Sequence, residues 1–226
     1  MSNSLCIIPA RGGSKRIKKK NIKDFLGSPI ISYSILKALK SNLFKEVMVS
    51  TDDKEIANIS KKYGASVPFM RSKKNSDDYA TTSYVLDEVI KFYENNNKRF
   101  DYVCIIYPTA PLIKINDLVK GKQALLEFDS SIPITKFHYP VQRSFKLKND
   151  KIEYNWPEFQ NSRSQDLDDL FHDAGQWYWI KTSSYNGNII QKKSKGIILN
   201  NLEVQDIDSL DDWKLAELKY KNLLSK

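Results

Sequence analysis

The sequence predicts an α/β fold in which a mostly parallel sheet is covered by helices on both faces. Short apolar runs alternate along the chain with longer segments whose apolar residues recur at helical spacing. The apolar runs are hydrophobic throughout, which is typical of strands buried on both faces. This order of strand and helix is the one that parallel sheets with helical crossovers require.

The elements follow in chain order from these patterns. Pro29 suits the start of a helix, Gly64 suits a helix end, and Ser209 suits the cap of the last helix. The predicted strands are residues 5–8, 47–49, 67–70, 102–107, 131–135, 177–180 and 197–199. The predicted helices are residues 29–41, 52–63, 81–94, 116–128 and 209–224. Because ligands of such sheets bind beyond the carboxyl ends of the strands, the loops after Ile8, Ser50 and Tyr107 form the candidate site.

One region, residues 137–160, breaks the alternation. It carries two prolines and short runs of alternating polarity that flank an Asn-Asp pair. These features predict a β-hairpin arm with its turn at residues 148–150. The length of 226 residues fits a single domain over residues 1–226, with this arm as an appendage.

Composition narrows the functional classes. Hydrophobic residues make up 41% of the chain, which is enough for a substantial core. The chain contains no run of eighteen apolar residues, so no membrane span is predicted. Cys6 and Cys104 both lie in apolar runs, and the start of the chain lacks the pattern of a secretory signal, so we expect a cytoplasmic protein. The net charge of +9 leaves two alternatives open: a nucleic-acid-binding α/β module, or an enzyme that binds polyanionic small molecules.

The first chemical signal is a glycine-rich loop, residues 9–21, directly after the first strand. It begins with PARGGSK and ends with KN, which matches neither the P-loop nor the G-x-G-x-x-G pattern. Glycines let backbone amides approach phosphate oxygens closely, and the basic side chains add positive charge. The alternative is an ordinary basic loop. The candidate phosphate ligands are Ala10, Arg11, Gly12, Gly13, Ser14, Lys20 and Asn21.

The second signal is the aspartate segment, residues 206–208, ahead of the last helix. In extended backbone, Asp206 and Asp208 point to the same side. Two carboxylates in this arrangement suit Mg²⁺, with Mn²⁺ as the alternative ion, because magnesium prefers one or two carboxylates together with phosphate oxygens. The competing interpretation is that both aspartates only cap the helix and interact with its dipole.

Two segments earlier in the chain carry further candidate ligand groups. Arg163 and Gln165 follow the arm, and arginine binds a carboxylate through two parallel hydrogen bonds. Tyr107 ends a buried strand, which places it at the ligand edge. For His172 a hydrogen-bonded surface position is favoured over catalysis, and His138 has no predicted role.

These motifs resemble those of the CMP-sugar synthetases, a family that includes the N-acetylneuraminate, legionaminate and pseudaminate cytidylyltransferases. The resemblance extends from Ile7 to Trp213. It implies a Rossmann-like nucleotidyltransferase fold, CTP held by the glycine-rich loop, and a metal ion on the aspartate segment. Arg71 would lie near the cytosine, and Thr82 would touch the nucleotide. The implied catalytic residues are Lys20, Arg11 and Asp208.

The resemblance also implies the second substrate, an acidic nine-carbon sugar, with Tyr107, Gln142, Arg163, Gln165 and Gln176 as sugar ligands. The family uses its arm to embrace a second subunit, so a homodimer is expected, with no nucleic-acid or membrane partner. Three departures from the sialate pattern indicate the pseudaminate branch: Arg16, Tyr107, and the run Gly-Gln-Trp-Tyr at residues 175–178. N-acetylneuraminate, legionaminate or an eight-carbon acid are the alternative sugars.

Overall fold

The computed structural model describes residues 3–225 and contains a seven-stranded mixed sheet flanked by helices. The strands of this sheet are β1 (Ser4–Pro9), β4 (Glu46–Ser50), β5 (Tyr102–Ile106), β6 (Ser130–Lys136), β9 (Phe171–Asp173), β10 (Trp177–Lys181) and β11 (Ser194–Ile198). Their order in the sheet is β11-β6-β10-β5-β1-β4, and β9 pairs with β6. The helices are α1 (Ile30–Lys40), α2 (Lys54–Lys62), α3 (Thr82–Asn95), α4 (Ile115–Ala124) and α5 (Leu210–Leu224). The α/β prediction is therefore confirmed.

The direction of the strands refines the prediction of a mostly parallel sheet. β1 is parallel to both β4 and β5, and β6 is parallel to β11. β10 lies antiparallel between β5 and β6, and β9 is antiparallel to β6. Five strands thus share one direction and two oppose them. Strand β9 was not predicted, because three residues carry too little periodicity to reveal a strand.

One predicted strand, residues 67–70, is wrong. The chain here makes only an isolated bridge between Met48 and Ser66. Val49 donates a 2.8 Å backbone hydrogen bond to Ser66, and Ser66 donates one of 2.9 Å to Val47. After this point the chain leaves the sheet edge, so the apolar run packs as irregular structure.

The core lies on both faces of the sheet, as the continuous apolar runs predicted. Ile8 and Ile106 belong to a buried cluster that includes residues of α1, α2 and α4. Ile7 and Ile105 belong to a second buried cluster, on the opposite face, with residues of α3. Alternate residues of one strand therefore enter different cores, which is why no polar positions interrupt these strands.

Helix α5 closes a third buried cluster beneath the glycine-rich loop. Trp213 packs edge-on against Phe25, and Ile17 and Ile207 are buried in the same cluster. The helix begins at a capping box in which Ser209 and Asp212 bond to each other's backbone amides. The cap predicted at Ser209 is confirmed, and the packing fixes the aspartate segment next to the loop.

The arm region contains a separate two-stranded hairpin of β7 (Phe145–Lys148) and β8 (Lys151–Tyr154). Its two-residue turn has positive φ angles of 50° at Asn149 and 60° at Asp150, the geometry of a hairpin turn whose twist matches the strands. A further small ribbon joins β2 (Asp24–Phe25) to β3 (Ser28–Pro29). Among residues 3–225, no helix combines the length and the apolarity that crossing a membrane requires.

Candidate active site

A cleft of about 490 Å³ lies at the carboxyl ends of β1, β4 and β5, where the sequence placed the candidate site. We call it the loop cleft. Its lining includes Arg11, Ser14, Lys20, Asn21, Arg71, Thr82, Tyr107 and Asp206. A larger cleft of about 640 Å³ opens at the other end of the strands and contains none of the predicted ligands. The parallel strands therefore bring together residues that are far apart in sequence.

The backbone of the glycine-rich loop is tied to the neighbouring strand and helix. Ala10 donates a 2.9 Å hydrogen bond to the carbonyl of Ser50, and Gly12 donates one of 3.0 Å to the Asp52 carboxylate. A Cβ atom on Gly12 would lie 2.7 Å from Oδ2 of Asp53, so only glycine allows this approach. Asn21 is buried, and its side-chain amide donates a 2.9 Å bond to the carbonyl of Arg11. Asn21 thus holds the backbone of the glycine-rich loop in place through this bond.

Two basic side chains of the loop converge on one carboxylate across the cleft. Arg11 Nη1 lies 2.9 Å from Asp78 Oδ1 and donates a 2.8 Å bond to the carbonyl of Asp77. Lys15 forms an ion pair with the other Asp78 oxygen. The hydrogen bonds from Lys15 and Arg11 lower the pKa of Asp78. A triphosphate in this position would compete with Asp78 for both cations. Lys15 was not among the predicted ligands, although its place in the basic loop signalled it.

Arg71 and Thr82 form the wall opposite the glycine-rich loop. The guanidinium of Arg71 is buried and donates a 3.0 Å hydrogen bond from Nε to the Ser50 hydroxyl and a second bond to the Ser50 carbonyl. Burial lowers the pKa of Arg71 to about 10, which leaves it charged at neutral pH. Thr82 Oγ1 lies 3.4 Å from Tyr107 Oη. Both predicted nucleotide ligands therefore line the cleft.

Lys20 joins the glycine-rich loop to the aspartate segment. Its Nζ donates a 2.7 Å hydrogen bond to the carbonyl of Ile207 and lies 3.5 Å from Asp208 Oδ1. Arg16 Nη2 lies 2.8 Å from the same carboxylate oxygen. Asp206 borders both the loop cleft and a second cleft of about 480 Å³, whereas Asp208 borders only the second of these two. The aspartate segment therefore marks the boundary between two connected spaces.

The electrostatics of the two aspartates fit a divalent cation. Burial by the surrounding protein, followed by the neighbouring Asp208 carboxylate, raises the pKa of Asp206, and Lys20 opposes this shift. Asp206 nevertheless keeps solvent-exposed surface, so its desolvation is partial. Within residues 3–225 no three His, Cys, Asp or Glu side chains form a complete metal site. Two carboxylates suit a magnesium ion only when water and substrate phosphate oxygens complete its ligand set.

Tyr107 belongs to a network that the sequence did not reveal. Its ring packs edge-on against Tyr178, with 5.5 Å between ring centroids. The Tyr178 hydroxyl donates a 2.7 Å hydrogen bond to Asp173, whose other oxygen accepts one from the backbone amide of Gly175. Asp173 borders the second cleft together with His138 and His172. The ring of Tyr107, a predicted sugar ligand, therefore packs against the buried Tyr178 of β10.

The remaining predicted sugar ligands lie elsewhere. Gln176 is only 3% exposed and donates a 2.6 Å hydrogen bond to the carbonyl of Glu203, so its side chain joins two loops. Arg163 is exposed and forms a two-point ion pair with Asp166, 2.7 and 3.2 Å long. Gln142 donates a 2.9 Å bond to the carbonyl of Asp168.

Gln142 borders a small cavity of about 140 Å³ within the arm region. The exposed Gln165 and Arg163 line neither the loop cleft nor the second cleft. Within one chain the five predicted sugar ligands therefore do not meet in a single cleft: Tyr107 lines the loop cleft, Gln142 lies in the arm, Arg163 and Gln165 follow the arm, and Gln176 packs between two loops.

Comparison with known proteins identifies the family. A family model described as "Cytidylyltransferase" matches residues 5–175. The pseudaminic acid cytidylyltransferase of Campylobacter jejuni subsp. jejuni serotype O:2 is 43% identical over 223 residues, covering 96% of each chain. The CMP-N,N'-diacetyllegionaminic acid synthase of Legionella pneumophila subsp. pneumophila is 31% identical and aligns over 94% of each chain.

A solved structure supports the fold independently. It is titled as a CMP:2-keto-3-deoxy-manno-octonic acid synthetase complexed with CTP. It superposes with a TM-score of 0.68 over 100% of both chains at 16% identity, which is a likeness of fold. The resemblance seen in the motifs is thus confirmed along most of the sequence, and this chain belongs to the cytidylyltransferase family.

Proposed function

We propose that this chain transfers the CMP unit of CTP to pseudaminic acid and releases pyrophosphate. The observation that carries the proposal is the convergence of Arg11, Ser14, Lys20 and Asp206 in one cleft beyond the parallel strands. Such a cleft suits a triphosphate, because it combines backbone amides and cations at one sheet edge, with the aspartate segment at its border. The 43% identity to the Campylobacter pseudaminic acid cytidylyltransferase supports the choice of sugar.

In the proposed reaction the anomeric hydroxyl oxygen of the sugar attacks the α-phosphorus of CTP. The oxygen–phosphorus bond to the sugar forms, the bond to pyrophosphate breaks, and the hydroxyl proton is released to solvent. Positioning and charge neutralisation dominate such transfers. Arg11 and Lys20 supply fixed positive charge beside the phosphates. A Mg²⁺ ion held by Asp206 and Asp208, with Mn²⁺ as the alternative, would lower the pKa of the attacking hydroxyl.

The second cleft is our proposed location for the sugar, because it adjoins the loop cleft at Asp206. Asp173 lines this cleft, and Tyr107 lines the adjoining loop cleft, so the two would face the ring substituents that differ among nine-carbon acids from neighbouring sides. A site built to hydrogen-bond one substituent discriminates against analogues that leave its polar groups unpaired. The C1 carboxylate is common to all of these acids, so Arg163 would contribute binding and little discrimination.

The position of the arm supports the proposal of a homodimer. One face of its hairpin carries two apolar cross-strand pairs, Phe145 with Tyr154 and Leu147 with Ile152. Phe145, Leu147 and Ile152 are 50%, 73% and 66% exposed. An isolated two-stranded hairpin is marginal in water, so a second subunit covering this face would stabilise it. In such a dimer, Gln142 or Arg143 would reach the partner's sugar site.

We place the reaction in the cytoplasm, where buried free cysteines such as Cys6 and Cys104 remain reduced.

The proposal is tested by incubating the protein with CTP, Mg²⁺ and, separately, pseudaminate, N,N'-diacetyllegionaminate and N-acetylneuraminate. Pyrophosphate release gives kcat/KM for each acid. We expect pseudaminate to exceed N-acetylneuraminate by at least about 100-fold, the scale of discrimination that unpaired polar groups produce. Equal or reversed values would assign the chain to the legionaminate or sialate branch. If none of the acids led to pyrophosphate release, the proposed activity would be wrong. Tight DNA binding by the same protein would then favour the nucleic-acid-binding alternative.

A further inference from the structure

Asp208 lies beside two cations of the glycine-rich loop, and both contact the same carboxylate oxygen. Arg16 Nη2 lies 2.8 Å from Oδ1, and Lys20 Nζ lies 3.5 Å from it. These two contacts therefore offset part of the negative charge of Asp208. A divalent ion that used this carboxylate would have to share or replace those contacts.

The two cations differ in how firmly they are held. The Lys20 side chain is 23% exposed, and its ammonium is anchored to the carbonyl of Ile207. The Arg16 side chain is 71% exposed, and Asp208 is its ion-pair partner. A long exposed side chain keeps much of its rotamer freedom, so Arg16 is the cation that is able to leave. Arg16 also borders the loop cleft, where a triphosphate would offer it new acceptors.

A metal ion bound to Asp208 would compete with Arg16 for the same carboxylate oxygen. Magnesium binds carboxylate oxygen at about 2.0–2.1 Å, which would bring two like charges close together on one oxygen while the guanidinium remained. Phosphate oxygens are better partners for a guanidinium, because they accept its paired N–H groups. A nucleotide that draws Arg16 into the loop cleft would consequently free Asp208.

We propose that Arg16 is a positioning residue that occupies Asp208 until CTP binds, and that it thereby couples metal binding to nucleotide binding. The inference rests on the metal role that the proposed function gives to the aspartate segment. Thermodynamic linkage requires the coupling to be reciprocal: CTP tightens metal binding by the same factor by which the metal tightens CTP binding. Because the Arg16–Asp208 pair is exposed, we expect an effect of about two- to fivefold.

The direct test is a titration of the protein with Mn²⁺ in the absence of nucleotide. Electron paramagnetic resonance measures the concentration of free Mn²⁺ at each point. Arg16→Gln should tighten Mn²⁺ binding by about two- to fivefold. Arg16→Lys, which keeps the charge, should return the affinity towards that of the native chain. The matched control is Lys18→Gln, since Lys18 is an exposed lysine of the same loop without an ion-pair partner among residues 3–225. Lys18→Gln should leave Mn²⁺ affinity unchanged.

Three outcomes would overturn the proposal. The first is unchanged or weaker Mn²⁺ binding in Arg16→Gln. The second is equal tightening in Lys18→Gln, since the cause would then be the general charge of the loop. The third is tightened binding that persists in the double variant Arg16→Gln/Asp208→Asn, because the ion would then lie elsewhere.

The coupling itself is measured by calorimetric titration of CTP with and without saturating Mg²⁺. The ratio of the two dissociation constants should shrink in Arg16→Gln by the factor seen with Mn²⁺. Chelation of the metal by CTP in solution is common to both proteins, so it cancels when the ratios are compared. An unchanged ratio would contradict the coupling. These titrations need no sugar, so they test the coupling separately from the proposed function. The coupling can be absent while pyrophosphate is still released from CTP with pseudaminate, and it can be present when no pyrophosphate is released.

Discussion

At the scale of single residues, Lys20 links the glycine-rich loop to the aspartate segment. It is the least exposed cation that reaches both, and the Ile207 carbonyl fixes its ammonium at 2.7 Å. A charge held in place before the reaction stabilises developing phosphate charge without reorganisation. Its contribution to catalysis should therefore be larger than that of the mobile cations around it.

Lys20→Ala should lower kcat by about 100- to 1000-fold, the usual effect of removing one preorganised donor from a transition state. Steady-state pyrophosphate release measures this change. Sugar preference should remain as in the native chain, since Lys20 lies on the nucleotide side. Lys18→Ala, which removes an exposed charge from the same loop, should retain normal turnover. A Lys20→Ala protein with normal kcat would remove the catalytic assignment.

Asp208→Asn should lower turnover by at least about 100-fold while the protein stays folded. The change removes a carboxylate charge but keeps the shape of a side chain that is 42% exposed. Activity at rising Mg²⁺ concentration and circular dichroism of the same sample separate the two effects. Near-normal turnover at saturating Mg²⁺ would show that the metal role is wrong.

At the scale of elements, helix α4 lies unusually close to β10. A Cβ atom on Gly121 would lie 2.5 Å from two ring atoms of Trp177 and 2.9 Å from Cδ1 of Trp179. Both tryptophans are fully buried, so neither ring has space to move. The packing of β10 in the sheet therefore depends on a glycine inside a helix.

Gly121→Ala should lower the free energy of unfolding by about 1–3 kcal/mol, the usual cost of overpacking a core. An exposed helical site would respond with the opposite sign, because alanine favours helix over glycine by about 1 kcal/mol. Urea denaturation measures the difference. Gly13→Ala is the matched control, since no atom lies within 4 Å of the added Cβ, and its stability should stay within about 0.5 kcal/mol of native. A stabilised Gly121→Ala protein would contradict this account.

For the molecule as a whole, the hairpin is notable because one of its faces exposes apolar side chains that no other part of residues 3–225 covers. Its apolar pairs face outward, and its other face carries Lys146, Lys148, Lys151 and Glu153. Covering an exposed apolar face is the common reason for self-association, and the commonest arrangement is a twofold dimer.

The native protein should be a dimer by light scattering, and Leu147→Asp should shift it to a monomer by placing a charge in the covered face. Lys146→Glu, on the opposite face of the same strand, changes charge without touching the apolar pairs and should remain dimeric. Circular dichroism should show both variants folded. A native monomer at working concentration, or equal dissociation by both variants, would contradict the role of the hairpin.

Local sequence patterns predicted most helices and strands and the residue types of the loops. The cap at Ser209 and the hairpin turn at residues 149–150 lie where local pattern predicted, and the helix predicted from residue 52 begins after its cap, Asp53. Such signals are local, because a cap or turn satisfies backbone groups only a few residues away. The meeting of the loops at one sheet edge also followed, since parallel strands end at a common edge.

Features that depend on partners far away in the sequence became visible only in the folded chain. The antiparallel direction of β10, the burial of Gln176 against Glu203, and the pairing of Arg16 with Asp208 each join segments far apart in sequence. No periodicity encodes those pairings. A side chain's role is fixed by the neighbours that folding brings to it: burial made Gln176 a support between loops, and the position of α5 brought Asp208 within reach of Arg16.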